Sequence, residues 1–219
     1  MSADQTAALS KETRFWDRTA PRYAKSPVRD QAAYEHTLDR VAHYLSPEHQ
    51  VLELGCGTGT TAVHLAPKAA HITATDLSSA MIEIGKSRAK DAGVQNISFE
   101  ACAPATAPKG PFDVVMGFNL LHLIPDIDAA LSEIAERVPT GGLFISKTPC
   151  LAQGGGVGIK LMLALALPVM QLFGRAPAVV HQLSVAELET AVEAAGFEII
   201  ETGNFPARPT SRFLVAQRR

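Results

Sequence analysis

The sequence is poor in cysteine, tryptophan and net charge, and each shortage removes a class of protein. Its 219 residues include three cysteines and one tryptophan, and 20 Lys+Arg stand against 22 Asp+Glu for a net charge of -2. Cys56, Cys102 and Cys150 are odd in number, far apart and without a C-x-x-C, so local spacing builds neither a disulfide framework nor a zinc knuckle. No H-x-x-H, H-E-x-x-H or carboxylate cluster points to a metal, and none is expected. The overall charge lacks the basic excess of a dedicated nucleic-acid binder. Low hydrophobicity combined with high net charge, the mark of disorder, is absent too. Met1 to Ser10 shows no basic n-region or apolar h-region, which makes the cytoplasm the expected compartment. The longest apolar run, Leu161 to Met170, is far short of the ~20 residues of a membrane-spanning helix.

What is present is an apolar share of 47%, and a chain of this length can bury ~70% of its unfolded surface as a single domain. Tyr34, Leu38, Val41 and Leu45 recur on one helical face. Ahead of them, Lys11 to Asp30 carries six basic and three acidic residues around Trp16 and reads as a solvated segment. From Gln50 onward strands and helices alternate. Strands are expected at Val51–Leu54, Ile72–Thr75, Ile97–Ala101, Phe112–Phe118 and Leu143–Lys147. Ser78 caps a helix that Gly93 closes, and Ile127, Leu131, Ile134 and Val138 mark another. Ser184 and Glu187 form a capping box, and strands follow at Phe197–Ile200 and Arg212–Ala216. Such a series favours a parallel sheet covered by helices on both faces.

Two segments fall outside this framework: residues 1–44, read as an N-terminal helical cap, and 148–183, an apolar insertion after the fifth strand. The insertion begins with a glycine run at 153–158. From Gly158 to Phe173, Leu161, Met162, Leu165, Met170, Leu172 and Phe173 are placed to roof an apolar pocket, with a core helix or membrane-surface contact through 159–173 as the other readings.

Glu53-Leu54-Gly55-Cys56-Gly57-Thr58-Gly59 joins the first strand to a helix. Its glycines allow a tight turn and close approach of backbone to a ligand. Asp76, ending the next strand 21 residues after Gly55, is spaced to accept hydrogen bonds from ribose hydroxyls. The loop is G-x-G-x-G, not the dinucleotide fingerprint, and no Gly-Lys-Ser/Thr of a P-loop follows. No tyrosine is followed by a lysine four residues on, as a short-chain dehydrogenase requires. Exocyclic-amine methylation of DNA, RNA or glutamine also loses its usual Asn/Asp-Pro-Pro-aromatic tetrad.

The runs VLELGCGTGT (51–60), ATDLSSAMIEIGK (74–86) and FDVVMGFNLLHLIPD (112–126) resemble the class I S-adenosylmethionine-dependent methyltransferases. They are most similar to the small-molecule, type 11 group with the ubiquinone/menaquinone enzymes. The resemblance covers residues 12–147 well and the last 36 more loosely. It implies a Rossmann-like, mostly parallel seven-stranded α/β sheet with an antiparallel last strand, and S-adenosylmethionine as cofactor. It places Gly55, Cys56, Gly57 and Gly59 against the methionine part of the cofactor, with Glu53 near the amino group. Asp76 would bind the ribose, Leu77 and Met81 flank the adenine, Asn119 and Leu120 pass beside the sulfonium, and Tyr23 closes over it. After the third strand, where the family has a Gly-Asp-Ala-like stretch, this chain reads Glu100-Ala101-Cys102-Ala103. Backbone groups at Cys102 and Ala103 then replace the missing acid.

Methyl transfer from a sulfonium needs an aligned nucleophile and a base only for protonated acceptors. His122, after the fourth strand, is the first candidate base, and His181 approaches from the insertion. The expected acceptor is small or lipophilic, leaning to a thiol or another easily ionised group because no carboxylate base is evident. Quinone or phenol O- or C-methylation, lipid-amine N-methylation and a non-catalytic cofactor-binding module are the alternatives.

Overall fold

The computed structural model describes residues 3–152 and 165–219, with side chains from Leu9 onward. Seven strands form one sheet: β1 (Gln50–Leu54), β2 (His71–Asp76), β3 (Ile97–Ala101), β4 (Val114–Phe118), β5 (Leu143–Pro149), β6 (Phe197–Asn204) and β7 (Ser211–Arg218). Their spatial order is β3-β2-β1-β4-β5-β7-β6. The first five run parallel, and β7 lies antiparallel between β5 and β6. The strand order reverses at β1, whose carboxyl end carries the glycine loop, and such a crevice is where open α/β sheets bind ligands.

Each central strand is apolar on both faces because helices cover both. Val51, Val114, Met116 and Ile145 pack with Leu38 and Val41 of helix α2 (Gln31–Tyr44), Leu65 of α3 (Thr60–Leu65) and Ile82 of α4 (Ser79–Asp91). Leu52, Leu54, Val115 and Phe144 point the other way, onto Leu131 and Ile134 of α5 (Ile127–Arg137) and Leu188 and Val192 of α7 (Val185–Ala194). This period-two alternation sends Val51 and Leu52 into different halves of the core. A short helix, α6 (Leu167–Leu172), belongs to the segment between β5 and α7.

The polar N-terminal segment is helical for its whole described length, as α1 (Ala3–Lys25). Only its contacts explain this. Ala20 is fully buried and Asp17 bonds to α4, so tertiary packing organises a helix with little apolar surface of its own. The Ser184 side chain and Glu187 form the expected capping box at α7.

Some boundaries shift. β4 starts at Val114, because the amides of Phe112 and Asp113 are taken by the carbonyls of Arg137 and Gln50. β6 and β7 are longer than their apolar runs, since β7 pairs along both edges. The buried Arg137 holds the β3–β4 connection through the carbonyls of Pro104, Ala107 and Pro108. His71 opens β2 and bonds Ser98 Oγ at 2.9 Å. The glycine run 153–158 and the pocket-roof residues Leu161 and Met162 lie outside the described residues.

Candidate active site

The loop after β1 holds its shape through three left-handed glycines, with φ of +66° at Gly55, +53° at Gly57 and +69° at Gly59. At Gly55 a Cβ would lie 2.8 Å from Leu120 Cδ1, so the side chain following β4 rests directly on the loop. At Gly59 it would lie 2.8 Å from Phe99 Cε1 and 3.1 Å from Gly85 Cα, so this glycine is demanded by protein packing. Gly57 differs, because its nearest neighbour would be Tyr23 Cε1 at 3.9 Å. That places the half-exposed Tyr23 of α1 beside open space at the middle of the loop. Partial burial and the nearby Asp76 carboxylate both push the Tyr23 hydroxyl above the usual phenol range.

Asp76 fixes the loop from β2. Its Oδ2 accepts from the Gly57 amide at 2.8 Å and its Oδ1 from the Ser78 amide at 2.9 Å. A carboxylate has about four lone-pair sites, so each oxygen keeps acceptor capacity for a further donor such as a ribose hydroxyl. Burial pushes its pKa upward against those two hydrogen bonds, with Asp17 adding to the rise.

Glu53 is the least satisfied acid of the site. Its side chain is buried, and Oε2 has no hydrogen-bond partner among the described residues. Burial first, and the Asp76 charge second, push its pKa up to about 8. A buried acceptor with nothing to accept from fits a cationic ligand group such as an ammonium. These groups therefore fit S-adenosylmethionine at its amino group and its ribose: an unpartnered acid at Glu53, spare acceptor capacity at Asp76, and open backbone at Gly57 between them.

Met81 is buried and Leu77 half-buried at the start of α4, beside Asp76. Cys102 and Ala103 follow β3, and the Cys102 amide bonds the Asp76 carbonyl at 2.9 Å. Cys56 is buried with its thiol against the Gly57 carbonyl. Burial raises the thiol pKa of Cys56, Cys102 and Cys150 alike. The strand order places β2 between Cys56 and Cys102 and carries Cys150 to the far side of β4. Exposed Asn119 adopts φ +54°, and its amide bonds the Lys147 carbonyl at 2.7 Å.

His122 sits in the turn Leu121–Leu123 after β4. Its Nδ1 is buried with no hydrogen-bond partner among the described residues, and its pKa falls to about 4, first through burial and then through His181. His181 comes from the segment ahead of α7. Its amide bonds the His122 carbonyl at 2.7 Å, and its Nε2 lies 2.9 Å from the Ile124 carbonyl. A carbonyl can only accept, so that nitrogen donates the bond. The two candidate histidines are thus brought together from residues far apart in sequence.

Four supporting residues had no sequence signal. Asp17 of α1 accepts from Ser78 Oγ at 2.6 Å and from the Ala80 amide at 3.1 Å, which docks the cap on α4. Arg88 bonds the Thr58 carbonyl at 2.6 Å and pins the glycine loop from α4. Half-buried Lys147 bonds Thr37 Oγ1 at 3.2 Å, and burial lowers its pKa. Tyr34 of α2 places a buried hydroxyl, with no hydrogen-bond partner at normal distance among the described residues, in the electrostatic reach of Glu53. Each belongs to a common residue type in a polar helix or strand end, and only the fold gives it a role.

Comparison with known proteins identifies relatives of this chain. The profile of a family described as a methyltransferase domain matches residues 28–202. The chain is 26% identical over 170 residues to a ubiquinone biosynthesis O-methyltransferase of Paracidovorax citrulli, covering 74% of this chain and 69% of the relative. It is 28% identical over 160 residues to a magnesium-protoporphyrin O-methyltransferase of Rhodobacter capsulatus, covering 66% and 71%. Among solved structures, magnesium protoporphyrin IX methyltransferase from Synechocystis with bound SAH superposes with a TM-score of 0.71 at 21% identity, over 98% of this chain and 99% of that one. Geranyl diphosphate C-methyltransferase from Streptomyces coelicolor gives 0.71 at 14% identity, over 100% of both. The chain belongs to the methyltransferase-domain family, the class I S-adenosylmethionine-dependent methyltransferases that its motifs resemble.

Proposed function

We propose that this enzyme methylates a small, lipophilic acceptor at an ionisable hydroxyl, with His122 as the proton acceptor. The observation that carries the reading is the buried His122 Nδ1, which has no hydrogen-bond partner among the described residues, on an imidazole whose pKa burial lowers to about 4. A neutral imidazole at the carboxyl edge of β4 can take the proton that a phenol-type oxygen must lose, whereas an acceptor already ionised needs none. Both curated relatives described above are named as O-methyltransferases, which supports the same choice.

S-adenosylmethionine supplies an activated methyl group, so the residues of this chain need only position, exclude water and handle one proton. Glu53 faces the amino group, the Gly55–Gly59 loop gives close backbone approach, and Asp76 receives the ribose. Leu77, Met81, Cys102 and Ala103 line the adenine end, and Asn119 and Leu120 lie nearest the reacting centre. Tyr23 closes the loop side from α1. His181 holds His122 in place, and residues 1–44 with the described part of 148–183 act as cap and lid of one domain. The relevant hydrogen bonds are the one the Ala178 amide donates to the Glu12 carboxylate and the one Arg18 donates to the Gly174 carbonyl.

A thiol acceptor is the second reading, favoured because no carboxylate among the described residues acts on His122. A radiolabelled-cofactor assay against phenol, thiol and amine panels separates them. Turnover on phenols, lost in His122→Asn, supports the proposal. Turnover on thiols that survives His122→Asn moves the assignment to the thiol, and transfer only to a macromolecule overturns both.

A further inference from the structure

The outer surface of the cap carries a feature that methyl transfer does not use. Lys11, Arg14, Arg18, Arg22 and Lys25 are all exposed, and at 3.6 residues per turn they fall within roughly 80° of one face of α1. The acidic residues of the same stretch lie elsewhere on the helix and are engaged. Asp17 bonds Ser78 and Ala80, and Glu12 accepts from the Ala178 amide and from the Trp16 indole. Lys11, Arg14, Arg22 and Lys25 have no side-chain hydrogen bond or ion pair among the described residues. The positive stripe is therefore uncompensated in a chain whose net charge is -2.

Next to this stripe lie the most exposed large apolar side chains among the described residues. Leu165, Val169 and Leu172 recur at helical spacing and are 63%, 54% and 77% exposed, with Phe173 at 70%. Arg18 of the stripe donates to the Gly174 carbonyl, immediately after Phe173, so the basic and apolar faces are joined in the tertiary structure. Exposed Arg175 extends the charge past the junction.

We propose that this joined face is a docking surface for an anionic lipid bilayer. Cationic side chains beside protruding leucine and phenylalanine are what an interfacial, non-spanning membrane contact needs: electrostatic attraction to anionic headgroups plus shallow apolar insertion. A protein partner or a second copy could cover the apolar residues, but neither accounts for five cations of one sign on a helix of otherwise engaged acids. No helix among the described residues is long and apolar enough to cross a membrane, so the contact is peripheral. The inference stands apart from the choice of methyl acceptor.

The test is co-sedimentation of the full chain with phosphatidylcholine vesicles, with and without phosphatidylglycerol, at low and high salt. The expected result is binding only to the anionic vesicles, weakened by salt. Arg14→Glu with Arg22→Glu should reduce partitioning by at least about tenfold, from the roughly fivefold per cation expected near an anionic surface. Leu172→Ser with Phe173→Ser should weaken binding even at low salt. Circular dichroism and S-adenosylmethionine affinity, both expected unchanged, show that each variant is folded. Equal binding to neutral vesicles, no vesicle binding, or wild-type binding by folded charge variants overturns the proposal. So does a solution dimer that buries Phe173, or a stripe that binds nucleic acid but not vesicles.

Discussion

Asp17 and Ser78 are 61 residues apart, yet the Ser78 hydroxyl donates to the Asp17 carboxylate at 2.6 Å while capping the first turn of α4. One acid of the N-terminal helix thus completes the helix start that follows Asp76. Asp17→Ala should lower stability by about 1 kcal/mol, the scale of a lost capping interaction, and lower Tm by about 2–4 °C in a domain of this size. It should also raise the KM for S-adenosylmethionine, because α1 carries Tyr23 to the loop. An unchanged KM with a lowered Tm would confine Asp17 to a structural role.

Glu53 makes stability and cofactor binding pull in opposite directions with pH. Its folded pKa of about 8 lies above the ordinary 4.5, so between those values the folded chain holds a proton that the unfolded chain has released. The group's stabilising contribution is therefore full below pH 4.5 and falls by about 1.4 kcal/mol per pH unit through that window, levelling off above 8. Glu53→Gln should flatten this slope in denaturant titrations. Cofactor affinity in the wild type should rise toward pH 8, since only the carboxylate complements an ammonium, and this rise should vanish in Glu53→Gln.

Gly57 and Gly59 share a left-handed backbone but not an environment. Gly59→Ala drives a Cβ into Phe99 and Gly85 and should destabilise by about 2 kcal/mol or more, combining left-handed strain with overpacking. Gly57→Ala meets nothing closer than 3.9 Å and should cost only the ~1 kcal/mol of left-handed strain. Gly57→Asp should abolish cofactor binding in calorimetry while the chain stays folded. Retained binding would count against the loop as the methionine-side contact.

For His122 the sign is reversed. Burial lowers its pKa to about 4, so below pH 6.5 the unfolded chain takes up a proton that the folded one refuses. Stability from this group is full above 6.5 and declines as pH falls toward 4. His122→Asn should remove that acid slope and lower kcat by about 10²–10⁴, the range of general base catalysis, with cofactor Kd unchanged. An acid limb of wild-type activity near 6.5 would point to a different base.

The βαβ order, the glycine loop, Asp76 and the family resemblance are all legible in the chain, because these are local signals. Hydrophobic periodicity, caps and a strand–loop–helix junction are written in consecutive residues. The capping box at Ser184 and Glu187 is a case where reading and structure coincide residue for residue. Residues 1–44 read as a helical cap from the chain alone, but what docks residues 3–25 does not, since the contacts that hold them come from α4 and from the segment after β5. The meeting of His122 with His181, and of Arg18 with Gly174, was likewise invisible in the chain. The balanced charge that excluded a generally basic protein also concealed a positive stripe, because composition averages over faces that only folding separates.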